Sequence, residues 1–383
     1  MCTVVGVKGS LRERRPGNWE LIVQLPRDPA TGKPKQLSRS HIGTKREAQR
    51  ALAALVAQVA EGKISSSSTT LNELLARWLD QVDNRLSPTT AREYRRIVNR
   101  RLGPDLGRLR LSKVTTQRID AYYAALTREH DLSAGTVRHV HAILRGSLGQ
   151  AVKWGWIPVN PAVSASPPKL RTKEITPPSL ADTRKLLAAA DEYDVELAAL
   201  IRVLAATGAR RGEVCGLRWS DLDRSARTLS IKRSIASVPG GTIVKDTKTH
   251  AARRISLDDD TIAILELQRD RVKHRAAMCE LAFNDDGYVF TATADGSDPL
   301  HPDTITKGFG RVQTRAELHG IRLHDLRHLH ATQLLAAGVP VPTVSGRLGH
   351  ANSATTLNVY AHFLEASDRD AADVIGNLLG SDA

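Results

Sequence analysis

A proline-rich segment at residues 156–179 constrains the architecture of this chain more than any other feature. It reads WIPVNPAVSASPPKLRTKEITPPS and holds six of the chain's 17 prolines. Because proline fixes φ and lacks a backbone N–H, neither a helix nor a central strand tolerates that density. We therefore predict an extended interdomain linker here. With 383 residues and 41% hydrophobic content, the chain is long enough for two or three domains.

Positive charge is concentrated before this linker. The chain carries a net charge of +14. Residues 1–63 hold 12 Lys and Arg against 5 Asp and Glu, residues 64–165 hold 15 against 8, and residues 166–383 hold 28 of each. This excess favours a polyanionic partner, although ribosome-associated and membrane-surface proteins share it. To bind a polyanion, the neutral C-terminal half would have to use individually placed Lys and Arg side chains.

The cysteines and the hydropathy pattern indicate a cytoplasmic protein. Cys2, Cys215 and Cys279 are widely separated and form neither a CxxC pair nor a disulfide framework. The N-terminal residues lack a long apolar core, and no run of about twenty apolar residues occurs, so we expect neither secretion nor a membrane span.

The first segment is predicted to be a small sheet followed by a helix. Apolar residues alternate in residues 18–25, and a turn-rich stretch allows residues 36–43 to return as a second strand. Thr44 and Glu47 then form a capping-box pattern at the start of a helix. The serine-rich residues 63–70 follow as a linker.

The second segment is predicted to be a helical bundle. Thr70 with Glu73 forms another capping box, and Ser87 with Pro88 suits the start of the next helix. Arginines on two of the helices are candidates for DNA binding: Arg92, Arg96, Arg100, Arg138 and Arg145. An ordinary solvated helix face is the alternative, but the local charge excess favours DNA.

The third segment carries short motifs suited to chemistry at a phosphate. They are Arg210 and Glu213 in TGARRGE, Lys248 in TKT before a predicted strand, His324 and Arg327 in HDLRHLH, His350 in LGH and Tyr360 in TTLNVYAH. His324 and His328 share a helical face and could bind zinc. Arg327 argues against zinc because its charge would repel a cation, whereas beside an anion the same residues donate charge-assisted hydrogen bonds.

In order and spacing, these motifs resemble the site of the tyrosine recombinases, and the first two segments resemble those of phage-type integrases. The resemblance implies a small α+β N-terminal domain with a three-stranded sheet and a helix, an all-α core-binding bundle, and a mainly α catalytic domain with a small antiparallel sheet. The implied boundaries are residues 1–63 for arm-type DNA binding, 64–165 for core binding, and 166–383 for catalysis, with a C-terminal tail that docks on a neighbouring subunit.

The same resemblance implies a site-specific DNA recombinase, or integrase, that integrates and excises a phage or mobile element. It would cut and rejoin strands through a 3′-phosphotyrosyl intermediate with no metal, ATP or other cofactor. The implied partners are double-stranded DNA attachment sites, a homotetramer on synapsed DNA, a host bending protein and an excisionase, with no membrane. The implied location is the cytoplasm of a bacterial host, at the nucleoid.

The chemistry of phosphodiester transesterification accounts for these residue types. Tyr360 would be the nucleophile, and since a phenol has a pKa of about 10 it must lose its proton as it attacks. Arg210 and Arg327 would hold the two non-bridging oxygens. His350 would donate a hydrogen bond to the phosphate, and His324 would stabilise it or help to take the phenol proton.

Two further residues complete the predicted site. Lys248 is the predicted general acid for the leaving 5′-hydroxyl, with Lys232 and Lys245 on the same hairpin as alternatives. Glu213 is predicted to orient Arg210 without contacting the phosphate itself.

Other interpretations stay open at this point. A DNA-binding protein of similar architecture could lack catalysis, a zinc hydrolase could use His324 and His328, and a type IB topoisomerase would form a similar covalent adduct. His328 and His330 lie outside the matched positions and are interpreted as packing or surface residues.

Overall fold

A computed structural model of the chain describes residues 8–25, 35–60, 69–170, 177–246 and 252–350, with scattered residues beyond 350. The chain divides into two compact units, residues 1–172 and 173–383. Lys248 and Tyr360 lie outside the described residues, as does most of the predicted tail. Within the described ranges, we find no helix with both the length and the apolar composition needed to span a bilayer.

The first unit begins with the predicted three-stranded sheet and helix. Its elements are β1 (Gly9–Arg15), β2 (Asn18–Leu25), β3 (Lys35–Ile42) and α1 (Lys45–Ala60). The strands are antiparallel in the order β1-β2-β3. Leu21 and Val23 of the central strand pack with Leu55 of α1 in a small core. Thr44 and Glu47 form the expected capping box, since each backbone N–H is bonded by the other side chain.

A helical bundle follows in the same unit. Its helices are α2 (Leu71–Asp83), α3 (Pro88–Ile97), α4 (Gly103–Leu106), α5 (Thr116–Arg128) and α6 (Ala134–Lys153). Thr70 and Glu73 make the predicted capping box at the start of α2. Ser87 accepts a hydrogen bond from the Thr90 N–H at the start of α3. The bundle has its own core, separate from that of the sheet.

The first part of the proline-rich segment differs from an extended linker. Four of its apolar side chains are buried in the bundle core: Trp156, Ile157, Ala162 and Ala165. The Ser166 N–H donates to Asp120 Oδ1 at 2.7 Å. Proline prevents regular secondary structure, but it does not prevent the residues between prolines from packing. Residues 171–176 lie outside the described ranges.

The second unit is mainly helical with small antiparallel sheets, as predicted. Its helices are α7 (Leu180–Tyr193), α8 (Val195–Thr207), α9 (Arg211–Cys215), α10 (Asp259–Met278), α11 (Pro302–Arg315), α12 (Asp325–Ala336) and α13 (Val341–Leu348). Its strands are β4 (Leu222–Asp223), β5 (Thr228–Ile231), β6 (Arg233–Val238), β7 (Gly241–Asp246) and β8 (Arg253–Ser256). Strands β4, β5 and β8 form one sheet, and β6 and β7 form the predicted hairpin.

Two glycines end helices at the place where the predicted motifs meet. Helix α8 ends at Gly208 with φ +63°, and α13 ends at Gly349 with φ +69°. Glycine adopts this left-handed conformation without a steric penalty. A Cβ at Gly349 would also lie 2.7 Å from Arg253 Nη1. The chain can therefore turn sharply into the segments that carry Arg210 and His350.

Candidate active site

Arg210 is held by the first turn of α9 and by the turn after α13. Its Nη1 donates to Glu213 Oε1 at 2.9 Å, and its backbone N–H donates to Glu213 Oε2 at 2.8 Å. Its Nη2 donates to the Gly349 carbonyl at 3.3 Å. The Arg210 side chain is 25% exposed, whereas that of Glu213 is 1% exposed. A buried carboxylate thus orients a guanidinium that a ligand can still reach.

Arg327 lies in the first turn of α12 and contacts the ends of two other helices. Its Nη1 donates to the Gly208 carbonyl at 2.6 Å, and its Nη2 donates to the Leu348 carbonyl at 2.7 Å. The carbonyls at helix C-termini carry partial negative charge, which stabilises a cation there. Arg327 is only 3% exposed, so these bonds fix the plane of its guanidinium.

His324 and His350 share the electrostatic environment of the two arginines. Partial burial, followed by the charges of His328, Arg327 and Arg210, lowers the pKa of His324 to about 4, although the residue keeps an exposed edge. Burial and the charges of Arg327 and Arg210 together lower the pKa of His350 to about 4 as well. Both imidazoles are therefore neutral at pH 7. A neutral imidazole offers one donor and one acceptor, which suits proton transfer and hydrogen bonding at a phosphate.

The sequence did not single out Arg253, which joins this group from β8. Arg253 Nη2 donates to Glu213 Oε2 at 2.7 Å, and Arg253 Nε donates to the Arg347 carbonyl at 2.8 Å. Strand alternation is the sequence signal that could have placed Arg253 on the inner face of β8. Arg253 shares a face with buried Ile255, while Arg254 between them is exposed.

Glu213 is ionised between two guanidinium groups. Burial alone would raise its pKa, but the hydrogen bond from Arg253 and the charges of Arg253 and Arg210 hold the pKa below its usual value. A carboxyl whose pKa is lower in the folded state stabilises the fold above its unfolded pKa of about 4.3. That contribution is lost as the pH falls through the lower, folded value.

Replacing Glu213 with glutamine is expected to lower the free energy of unfolding by about 3 kcal/mol at pH 7, because it leaves the buried Arg253 without a counter-charge. Urea denaturation of the full chain measures this, and the difference from wild type should shrink at pH 3. Asp303→Asn is the matched control, since Asp303 pairs with Arg211 on the surface. A loss no larger than that of the control would contradict the expectation.

The two remaining histidines of the heptad pack beside the site. His328 meets His324 edge to face, with ring centroids 5.0 Å apart. His330 Nε2 accepts from Arg347 Nε at 3.1 Å, so its Nδ1 carries the proton and donates to the Ala205 carbonyl at 3.0 Å. Among the described residues, no three His, Cys, Asp or Glu side chains cluster as metal ligands would.

The second unit is expected to lose stability as the pH falls from about 6.5 to about 4. Burial, and then the charge of Arg347, lower the pKa of His330 to about 4. Because the unfolded chain binds this proton near pH 6.5, stability is full above that pH and declines below it. Urea midpoints at pH 7 and pH 5 measure the effect. His330→Gln should reduce the difference, whereas exposed His274→Gln should leave it unchanged; equal behaviour of the two variants would contradict the assignment.

The alternatives to Lys248 have different surroundings. Lys232 Nζ lies 3.2 Å from Oδ1 of Asp221, whose side chain is fully buried. Lys245 lies on β7, where burial lowers its pKa. A lysine with a lowered pKa gives up its proton more readily, so Lys245 is the stronger of the two described alternatives.

The five candidate DNA-binding arginines lie on the helical bundle, and all are exposed. Arg92 and Arg96 lie on α3, whereas Arg100 lies in a π-helical turn at Val98–Leu102. These three arginines are four residues apart, but the π-helical turn interrupts the regular α-helical spacing that would align them on one face. Arg96 is paired with Glu93 at 2.6 Å, and the other two candidates, Arg138 and Arg145, lie on α6.

Comparisons with known sequences match both units. The phage integrase family model matches residues 180–366, and the model of the phage integrase N-terminal SAM-like domain matches residues 70–127. The integrase of Mycobacterium phage L5 is 28% identical over 320 residues, covering 82% of this chain and 81% of the relative. The ICEBs1 integrase of Bacillus subtilis is 23% identical over 372 residues, covering 97% of this chain and all of the relative.

Solved structures share the fold. The Tn1549 transposon integrase in complex with a circular intermediate DNA has a TM-score of 0.69 and 22% identity, covering 80% of this chain and 100% of that chain. A lambda integrase tetramer bound to a Holliday junction has a TM-score of 0.58 and 20% identity, covering 90% and 96%. This likeness agrees with the predicted fold class: a small α+β domain, a helical bundle and a mainly α catalytic domain.

Proposed function

Since this chain belongs to the phage integrase family of site-specific tyrosine recombinases, we propose that Tyr360 attacks a DNA phosphate and forms a 3′-phosphotyrosyl bond. One observation carries the proposal: Arg210, His324, Arg327 and His350 come from distant parts of the sequence to one neighbourhood. Two cations beside two neutral imidazoles match the needs of a phosphate whose charge grows in the transition state.

The cleavage step forms one bond at phosphorus and breaks another. The Tyr360 oxygen attacks the phosphorus as the phenol gives its proton to His324. The guanidinium groups of Arg210 and Arg327 bind the non-bridging oxygens. The bond to the 5′-oxygen then breaks.

The leaving group and the phosphate each receive further help. Lys248 donates a proton to the departing 5′-oxygen, and Lys245 is the alternative donor on the same hairpin. His350 donates a hydrogen bond to a phosphate oxygen. The phosphotyrosine keeps the free energy of the broken bond, so the 5′-hydroxyl of a second strand can attack it and release the enzyme without an energy source.

We assign the segments of the chain to separate tasks. Residues 1–63 bind arm-type DNA, residues 64–165 bind the core site, and residues 166–383 carry out catalysis. The exposed arginines of the bundle contact phosphates: Arg92, Arg96, Arg100, Arg138 and Arg145. Such contacts position a protein on DNA without reading its sequence.

One solved relative supports the proposed assembly. A lambda integrase tetramer has been solved on a Holliday junction, and by analogy this chain acts as a homotetramer on two synapsed attachment sites. It integrates and excises a phage or mobile element at the nucleoid of a bacterial host. A host DNA-bending protein assists recombination, and an excisionase sets its direction towards integration or excision.

Deleting residues 366–383 is expected to leave binding to one attachment site unchanged and to weaken tetramer formation. The apolar residues of this tail recur at helical spacing, which suits docking on a neighbouring subunit. Gel shifts with one and with two sites separate binding from synapsis. Unchanged synapsis by the truncated protein would contradict the expectation.

A covalent assay tests the proposed function. The protein is incubated with a nicked attachment-site DNA in the presence of EDTA, and an SDS-resistant adduct is expected. A zinc hydrolase would lose activity with EDTA, and a DNA-binding protein without catalysis would give no adduct. A type IB topoisomerase would give the adduct but fail to recombine two sites.

A further inference from the structure

We propose that Arg253 is a positioning residue for the phosphate site, holding both the carboxylate that orients Arg210 and the turn that carries His350. The inference rests on the proposed function, in which Arg210 and His350 act on the scissile phosphate. Arg253 itself does not touch the phosphate in this assignment.

Arg253 fixes the rotation of the Glu213 carboxylate. Glu213 Oε1 accepts from Arg210 Nη1 at 2.9 Å and from Arg253 Nη1 at 3.2 Å. Glu213 Oε2 accepts from the Arg210 N–H at 2.8 Å and from Arg253 Nη2 at 2.7 Å. Each oxygen therefore serves both arginines. Without Arg253 the carboxylate could turn, and the guanidinium of Arg210 would lose its fixed direction.

Arg253 also fixes the turn after α13. Its Nε donates to the Arg347 carbonyl at 2.8 Å. Its guanidinium lies so close to Gly349 that a Cβ there would be 2.7 Å from Nη1. The Gly349 carbonyl in turn accepts from Arg210 Nη2 at 3.3 Å, and His350 is the next residue. One side chain on β8 thus connects α9 with the end of α13.

The planar guanidinium group is essential to this arrangement. Three of its nitrogens donate to two oxygens of one carboxylate and to a carbonyl, which a single ammonium group cannot reproduce. The Arg253 side chain is 9% exposed, and these donors are directed at protein acceptors. Arg253 therefore acts through Arg210 and the turn.

The neighbouring Arg254 provides a matched control. It is on the same strand but its side chain is 57% exposed, and it pairs with Asp223 and Thr228 on the other face of the sheet. Arg253→Met in the full chain is expected to lower single-turnover cleavage of nicked site DNA about 100-fold, the cost of a misplaced group. Its DNA affinity should be unchanged, and Arg254→Met should cleave like wild type.

Methylphosphonate DNA separates a positioning role from a general structural one. It replaces one non-bridging oxygen with methyl, so the diester is uncharged and needs one cation less. Arg210→Ala should lose less activity with the diastereomer whose methyl replaces the oxygen that Arg210 holds. If Arg253 acts through Arg210, the loss in Arg253→Met should shrink with that same diastereomer, by at least about tenfold.

Three results would overturn the inference. In the first, Arg253→Met cleaves within about threefold of the wild-type rate. In the second, its cleavage rate falls by the same factor on normal DNA and on both methylphosphonate diastereomers. In the third, the loss shrinks with the diastereomer that restores activity to Arg327→Ala instead of the one that restores activity to Arg210→Ala. If thermal melting shows that Arg253→Met does not fold, Arg253→Lys is judged by the same diastereomer criterion. Failure of wild type to form any adduct would instead refute the proposed function.

Discussion

Replacing Tyr360 with phenylalanine is expected to abolish the covalent protein–DNA adduct, lowering its rate of formation by at least about 10⁴-fold. The change removes a single oxygen, the atom that would bond to phosphorus. The arginines that hold the phosphate remain, so affinity for the attachment site should be unchanged. SDS gels and gel shifts on the same nicked DNA measure the two quantities.

Tyr193→Phe is the matched control for this substitution. Tyr193 belongs to the same unit, and its hydroxyl accepts a hydrogen bond from Arg311 at 3.2 Å on the exposed surface. This control should form the adduct at the wild-type rate. An adduct that persists in Tyr360→Phe would show that another nucleophile attacks the phosphate.

Replacing Arg327 with lysine is expected to lower single-turnover cleavage about 10³-fold, although the charge is kept. The guanidinium is anchored by the Gly208 and Leu348 carbonyls at 2.6 and 2.7 Å. A lysine cannot hold both carbonyls in one plane and also present paired donors to a phosphate. Rapid-quench measurement of adduct formation at saturating protein separates this loss from weaker binding.

The control for Arg327→Lys lies on the same stretch of chain. Arg322 pairs with Asp325 at 2.9 Å, and its side chain is 72% exposed. Arg322→Lys should leave the cleavage rate close to that of wild type. If Arg327→Lys cleaved as fast as this control, a phosphate-binding role for Arg327 would be wrong.

Local features of the sequence predicted much of the fold. The capping boxes at Thr44 and Thr70 need only residues three apart, and the structure contains both. Arg210 and Glu213 are three residues apart, and they are in contact because Arg210 is the extended N-cap of α9 and Glu213 lies in its first turn. Such features depend on short-range geometry, which the order of residues determines directly.

Features that depend on distant contacts were not predicted. Arg253 is 40 residues from Glu213 and 94 residues from Arg347 in sequence, yet it bonds to both. His330 was interpreted as a packing or surface residue, and its bond to Arg347 could not be read from either residue. The burial of Trp156 likewise depends on the bundle it meets. Tertiary packing decides these contacts: strand alternation places Arg253 on the inner face of β8, but it does not identify the residues that Arg253 bonds to.

Identifying the residue that becomes attached to DNA tests most directly whether Tyr360 completes the site around Arg210 and Arg327. Trypsin should release residues 348–369 as one peptide, in which Tyr360 is the sole tyrosine. After nuclease digestion of the adduct, tandem mass spectrometry should locate the remaining nucleotide on Tyr360. A nucleotide on any other residue would contradict the assignment.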